Sequence, residues 1–291
     1  MNKVAIITDS NAGISPEEAK ELGVQVVPMP FRINDEDFLE GITMTQDEFY
    51  KKLESDPEIF TSQPSLAYLE DLWAETLKTY KEIIYIPMSS SLSGSYSAAN
   101  ILAQNFDNKV LVVKNKRISV TQKESVIEAL YLANKGKKAA DIKAYLEETC
   151  ANSRVYIMVS TLKYLKKGGR ISPAAAAIGS LLKIKPILYN DGGKFEKLAM
   201  CLTSAQGRKK IIDQIKKDFS EKFKEEYENN KIVISVAHTQ NEAEALKMKD
   251  EVIKAFPKAT FKFVDPLSLS VACHIGPGAL GIAFSVNNYL Q

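Results

Sequence analysis

Cysteine and histidine are scarce in this chain, neither sign of charge is in excess, and no long uninterrupted apolar run occurs. The three cysteines, Cys150, Cys201 and Cys273, are odd in number and form no Cys-x-x-Cys pair. That excludes a disulfide framework or a zinc ribbon as the organising device. The two histidines, His238 and His274, make no His-x-x-x-His pattern, and no paired carboxylates accompany the loops described below. Asp9 is the only acid at a clear strand end, so no metal site is expected. With 38 Lys and Arg against 36 Asp and Glu, the net charge is +2. Such a balance points to neither a nucleic-acid backbone nor an anionic membrane as the main partner. The opening apolar run is cut short at Asp9, too soon for a signal peptide. The most apolar later stretch, Ala174 to Leu188, is broken by Lys183 and Lys185, so no bilayer-spanning segment is expected. The expectation is a cytoplasmic protein in a reducing compartment, with no stable membrane insertion.

What is present is an alternation of strands and helices. At 291 residues and 45% hydrophobic content the chain is long enough for two domains with sizeable cores. Val4 to Ile7 reads as a buried strand. Ser15-Pro16-Glu17-Glu18 starts a helix, with Ser15 as N-cap, Pro16 in the first turn and Glu18 closing a capping box. Val24 to Pro28, Ile83 to Ile86 and Val110 to Val113 are further strands. Helices are expected from Thr45, from about Ser95, over Val120 to Asn134 and over Asp141 to Thr149. This order predicts an α/β fold whose N-terminal domain holds a mostly parallel, doubly wound sheet. A composition change near residue 155 marks the expected boundary, giving an N-terminal α/β domain over 1–155 and a second α/β domain over 156–291. In the second, Val155 to Val159, Lys185 to Tyr189, Ile232 to Val236 and Phe261 to Val264 read as strands. An alanine-rich helix is expected from Ser172-Pro173, one long helix over Gln206 to Asn229, another over Glu242 to Phe256, and an apolar helix over Ala279 to Tyr289.

Three segments concentrate hydroxyl or imidazole groups near expected helix starts, where unpaired N–H groups and the helix dipole favour an anion. Thr61-Ser62-Gln63-Pro64-Ser65 precedes an amphipathic run beginning at Leu66; a simple cap is the competing reading. Ser89-Ser90-Ser91-Leu92-Ser93-Gly94-Ser95-Tyr96 follows the strand that ends at Ile86. Ligands of a doubly wound sheet gather at that end of the strands. The segment is neither a Gly-x-Ser-x-Gly elbow nor a nucleotide-binding Gly-x4-Gly-Lys-Ser/Thr loop. Cys273-His274-Ile275-Gly276-Pro277-Gly278 puts His274 before a turn and the expected last helix, while His238 reads as structural. Lys166-Lys167-Gly168-Gly169-Arg170 reads as a basic loop, open to phosphate, to an acidic partner or to solvent alone.

Taken together and in order, these segments resemble the DegV family of bacterial fatty-acid-binding proteins. The matching pieces are Thr8-Asp9-Ser10, Val26-Val27-Pro28, Thr61 to Ser65 and Ser89 to Tyr96. They continue with Leu162 to Ser172, Lys185-Pro186-Ile187-Leu188 and His274-Ile275-Gly276-Pro277-Gly278. The resemblance implies a two-domain α/β carrier without turnover of its own and without a cofactor. It would bind one long-chain fatty acid such as palmitate non-covalently, with the ligand between the domains. It further implies that Thr61, Ser93 and His274 hold the carboxylate, with Ser62 and Gly94 beside them. A separate ATP-dependent fatty acid kinase would then make an acyl phosphate for phospholipid synthesis, with Arg170 and Lys167 as docking residues.

Three positions depart from the family pattern. Lys114-Asn115 stands where Asp-Ser is usual, Lys197 to Arg208 lacks a lysine-x-arginine spacing, and Gly13 occupies a normally acidic loop. The competing reading is an enzyme that binds a phosphorylated or carbonyl compound at the same helix N-termini. The missing metal carboxylates and nucleotide loop count against it.

Overall fold

The computed structural model describes residues 4–177 and 184–289. The chain divides into two compact units, one of Met1–Ala151 with Ser268–Ser270, the other of Asn152–Leu267 with Val271–Gln291.

In the first unit, β1 (Val4–Asp9), β2 (Gln25–Val27), β6 (Glu82–Ile86) and β7 (Val110–Val112) form a parallel sheet in the order β2-β1-β6-β7. Every residue of β1 is buried, as a central strand covered on both faces requires. Ala5 and Ile7 share a core with Leu69 and Trp73 of α3 (Leu66–Thr76) and with Ala99 and Leu102 of α4 (Ser95–Leu102). Trp73, the chain's single tryptophan, is wholly buried there, with ring centroids 5.7 Å from Tyr85 and 5.6 Å from Phe106. Alternate β1 residues point the other way. Thr8 there takes a hydrogen bond from Gln122 of α5 (Val120–Asn134), and α5 packs against α6 (Ala139–Thr149). The doubly wound arrangement is thus present.

Helix α1 (Pro16–Leu22) is capped by Ser15 and ended by Gly23 at φ +69°; the Glu18 carboxylate pairs with Lys123 at 2.8 Å. Helix α2 (Gln46–Leu53) carries a complete capping box between Thr45 and Glu48. A small antiparallel sheet, unforeseen in the sequence, joins β3 (Pro30–Ile33), β4 (Glu36–Leu39) and β5 (Ile59–Thr61) in the order β4-β3-β5. Asn34-Asp35 makes its two-residue turn, with Asn34 at φ +53°, the conformation such hairpins favour.

In the second unit, β8 (Ser153–Met158), β9 (Lys185–Asn190), β10 (Glu196–Cys201), β11 (Ile232–His238), β12 (Thr260–Pro266) and β13 (Leu280–Val286) form one sheet. Its order is β10-β9-β8-β13-β11-β12, antiparallel except for β11 with β12. The expected helix over Ala279 to Tyr289 is therefore wrong: Leu280–Val286 is a fully buried strand between β8 and β11. Leu280, Ile282, Phe284 and Val286 enter one core while Gly281, Ala283 and Ser285 alternate with them. A period of two inside an apolar run is hard to separate from a buried helix. α9 (Ser204–Ser220) and α11 (Glu242–Ala255) cover this face through Ile211, Ile215, Phe219, Met248 and Val252.

The long helix expected over Gln206 to Asn229 is two, α9 and α10 (Lys224–Glu228). The break lets Phe223 turn inward against Phe284, with centroids 5.1 Å apart. The basic Lys166 to Arg170 segment is not all loop, because α7 (Lys163–Gly168) runs into it and Gly169 ends the helix at φ +69°. Ser172 caps α8 (Pro173–Ala176); the expected continuation through 178–183 lies outside the described residues. The last helix, α12 (Leu269–Ile275), precedes β13. Among the described residues no helix is long and apolar enough to cross a membrane.

Candidate functional site

Thr61 and Ser62 do not stand at a helix start. Thr61 ends β5 opposite Phe31, and the Ser62 N–H donates to the Pro30 carbonyl at 3.3 Å. The cap of α3 is Ser65, whose Oγ accepts from the Tyr68 N–H at 3.4 Å. Sheet pairing, which the hydroxyl pattern does not reveal, fixes the two residues instead. They line a cleft of about 850 Å³ together with Gln63, Arg32, Phe38 and Phe60.

The serine segment is a turn tied to the rest of the fold at its first residues and closed on itself beyond them. The Met88 N–H donates to Asp9 Oδ2 at 2.9 Å, the Ser89 N–H to the Arg117 carbonyl at 2.9 Å, and the Ser90 N–H to the Asn115 carbonyl at 2.9 Å. Leu92 and Ser93 both donate to the Ser89 carbonyl. Ser93 Oγ accepts from the Ser95 N–H at 3.2 Å and lies 2.8 Å from Ser95 Oγ, so this serine does sit at the start of α4. Gly94 occupies the cap position itself, and a Cβ built there would stand 3.4 Å from Gln63 Oε1. Gln63 and Gly94 thus bring the two hydroxyl-bearing segments of the first unit together. Their hydroxyls and the positive end of the α4 dipole suit an anionic oxygen.

Residues outside the hydroxyl segments support this floor. Asp9 is wholly buried and accepts from Met88, Gln122 and Asn11. Burial raises its pKa and those hydrogen bonds oppose the rise. Its oxygens hold the strand ends, and among the described residues no cluster of His, Cys, Asp and Glu suits a metal ion. Asn115 is fully buried, and its side chain bonds Pro87 and Arg117. Arg117, also buried, is fixed by Glu128 at 2.8 Å and by the Thr149 carbonyl at 3.1 Å. Asn115, the second residue of the Lys114-Asn115 departure, therefore buttresses the serine turn, while the Lys114 N–H donates to Glu147. Gly13 adopts φ +71° at the end of a short turn, a backbone that an acidic residue adopts only with strain.

In the second unit His274 lies in the last turn of α12, not beside another helix start. Its ring packs on Gly168 at the end of α7. Burial and the nearby Arg170 charge push its pKa down to about 4, so the imidazole is neutral at pH 7. Arg170 Nη1 turns back to donate to the Gly168 carbonyl, where the C-terminus of α7 attracts a cation. Lys167 is exposed on α7. His238 has a structural task, with Nδ1 accepting from the Asn241 N–H at 3.2 Å ahead of α11. Thr239, unmarked by any motif, holds the Gly276 to Ala279 turn: its Oγ1 donates to the Gly276 carbonyl at 2.7 Å and accepts from Ala279 at 2.9 Å.

Comparison with known proteins agrees across nearly the whole chain. The family model described as "Uncharacterised protein, DegV family" matches residues 3–287. Protein DegV of Bacillus subtilis is 32% identical over 97% of this chain and 98% of its own length. A DegV domain-containing protein of Staphylococcus aureus is 30% identical over 97% and 98%. Among solved structures, a DegV family protein from Thermus thermophilus described by its fatty-acid binding superposes with a TM-score of 0.87 at 26% identity. It covers 98% of this chain and 99% of its own. DegV from Bacillus subtilis, described as a fatty acid binding protein, gives 0.82 at 29% identity with the same coverage. The chain belongs to the DegV family.

Proposed function

We propose that this protein binds one long-chain fatty acid non-covalently and turns nothing over itself. The carboxylate is held by Thr61, Ser93 and His274, with Ser62 and Gly94 beside it. The observation that carries this reading is the full-length likeness to DegV proteins whose solved structures are described as fatty-acid binding. The meeting of Gln63 with Gly94 supports the placement, since it draws the segments bearing Thr61 and Ser93 to one locality.

The energetics favour the same ligand. Burying the roughly fifteen alkyl carbons of a C16 tail contributes about 12 kcal/mol before ordering costs. Each charge-assisted hydrogen bond to the head group adds roughly 1.5–3 kcal/mol. The tail sets affinity, and the hydroxyls fix where the carboxylate rests. A neutral His274 contributes a directed N–H and no charge.

A carrier of this kind hands its acid to a separate ATP-dependent fatty acid kinase, which forms the acyl phosphate for phospholipid synthesis. Arg170 and exposed Lys167 are the docking residues. Protein purified from bacteria should yield one equivalent of fatty acid on mass spectrometry of an organic extract. Empty protein that also refuses labelled palmitate sinks the reading. Ser93→Ala should retain most palmitate binding yet lower kinase turnover roughly tenfold or more, the loss of one charge-assisted bond. Normal turnover would remove Ser93 from the head-group site.

A further inference from the structure

We infer that Gly168 is a positioning residue for His274: the missing side chain at 168 is the seat in which the imidazole lies. A Cβ built on Gly168 would overlap Nδ1 of His274 and stand 2.9 Å from Cε1 and 3.1 Å from Cγ. The ring has no room to remain where it is once residue 168 carries a methyl group. The requirement is steric, because Gly168 is helical and absent from the residues with positive φ. Its neighbour Gly169 is the reverse case, with φ +69° and nothing within 4 Å of a built Cβ. The two adjacent glycines thus serve different ends, one making space for a ring and the other ending α7.

The contact belongs to a reciprocal set. A Cβ on Gly276 would overlap the Tyr164 ring, with Cγ at 3.2 Å, and one on Gly278 would meet Ser160 Oγ at 2.7 Å. Residues 160–168 and 274–278 therefore lie together through three positions where one partner is glycine. This gives the Gly-Gly-Arg and His-x-Gly-Pro-Gly segments one shared physical task, to set the imidazole at a fixed place. The same packing withdraws the ring from water, and it brings in the Arg170 guanidinium, the charged group that lowers its pKa.

The inference rests on the reading of His274 as a head-group residue, and the test keeps the two apart. The chain has two histidines, so a protein labelled with isotopic histidine gives two imidazole signals, assigned with His274→Ala. In full-length protein stripped of lipid, Gly168→Ala should move the His274 signal and raise its titration midpoint toward the ordinary imidazole range. Gly169→Asn should leave both unchanged. The rate of palmitate phosphorylation should fall about tenfold in Gly168→Ala with most palmitate binding retained, as expected for one misplaced hydrogen bond to a charged group. Adding Gly168→Ala to His274→Ala should cost nothing further, because the ring it displaces is gone. If Gly168→Ala does not fold alone, this double variant must still fold; its failure to do so overturns the inference. An unmoved His274 signal in a folded Gly168→Ala protein also overturns it. A moved signal with wild-type palmitate handling in both single variants supports the seat and refutes the head-group reading of His274.

Discussion

Glu40 and His274 carry pKa shifts of opposite sense, and their effects on stability run in opposite directions with pH. Glu40 Oε2 accepts from Ser10 Oγ at 2.6 Å and Oε1 accepts from the Leu269 N–H, yet loss of water raises its pKa from 4.5 to about 7. A group protonated more readily when folded stabilises the fold below about 4.5, and that contribution is lost as pH rises through about 7. Glu40→Gln should therefore raise the urea midpoint at pH 8.5 by the equivalent of about 1–2 kcal/mol, discounted for residual exposure, and give little at pH 4. Equal shifts at both values would show that the gain has another origin. His274 behaves inversely: its contribution is complete above the ordinary value of 6.5 and is lost as pH falls toward about 4. Placing a fatty-acid carboxylate beside it opposes the Arg170 charge, so loading with palmitate should raise the His274 midpoint in an NMR titration. An unchanged midpoint would put the head group elsewhere.

At the level of elements, the legible parts were those with a local signature. The Ser15 cap, the Thr45 capping box and the uniformly apolar β1 follow from neighbours in sequence. The β3–β5 sheet escaped because its strands are short and half exposed, although Asn34-Asp35 is a recognisable hairpin turn. β13 escaped because a strand buried on both faces hides its period, and the break after α9 because burial of Phe223 overrides helix periodicity. The serine turn was visible as a loop, but its fixing by Asp9, Asn115 and Arg117 depends on pairings distant in the chain. For the same reason the two glycines after Lys167 read as one basic loop, when one of them is occupied by an imidazole. The strand that was misread is also structurally central. Phe284 of β13 packs on Phe219 at 4.8 Å and on Phe223 at 5.1 Å. Phe284→Ala should cost about 3–5 kcal/mol, read from urea unfolding followed by far-UV circular dichroism. A loss below 1 kcal/mol would contradict the packing described.

For the whole molecule, the proposed division of labour between tail and head makes a quantitative expectation. If apolar burial dominates, Kd should fall about tenfold for each added pair of methylenes along a saturated series such as C12, C14 and C16. A flat series measured by displacement of a labelled acid would show that the head group governs binding.

Trp73 lies in the core of the first unit between Tyr85 and Phe106, and the chain has no other tryptophan. Indole fluorescence is consequently a local gauge: it registers exposure of the α3–β6 core, while the second sheet contributes to circular dichroism without an indole of its own. Following Phe284→Ala by both signals turns this asymmetry into a measure of cooperativity. Curves that shift together report units that unfold as one body, and an indole curve left in place reports a first unit that holds its core after the second has opened.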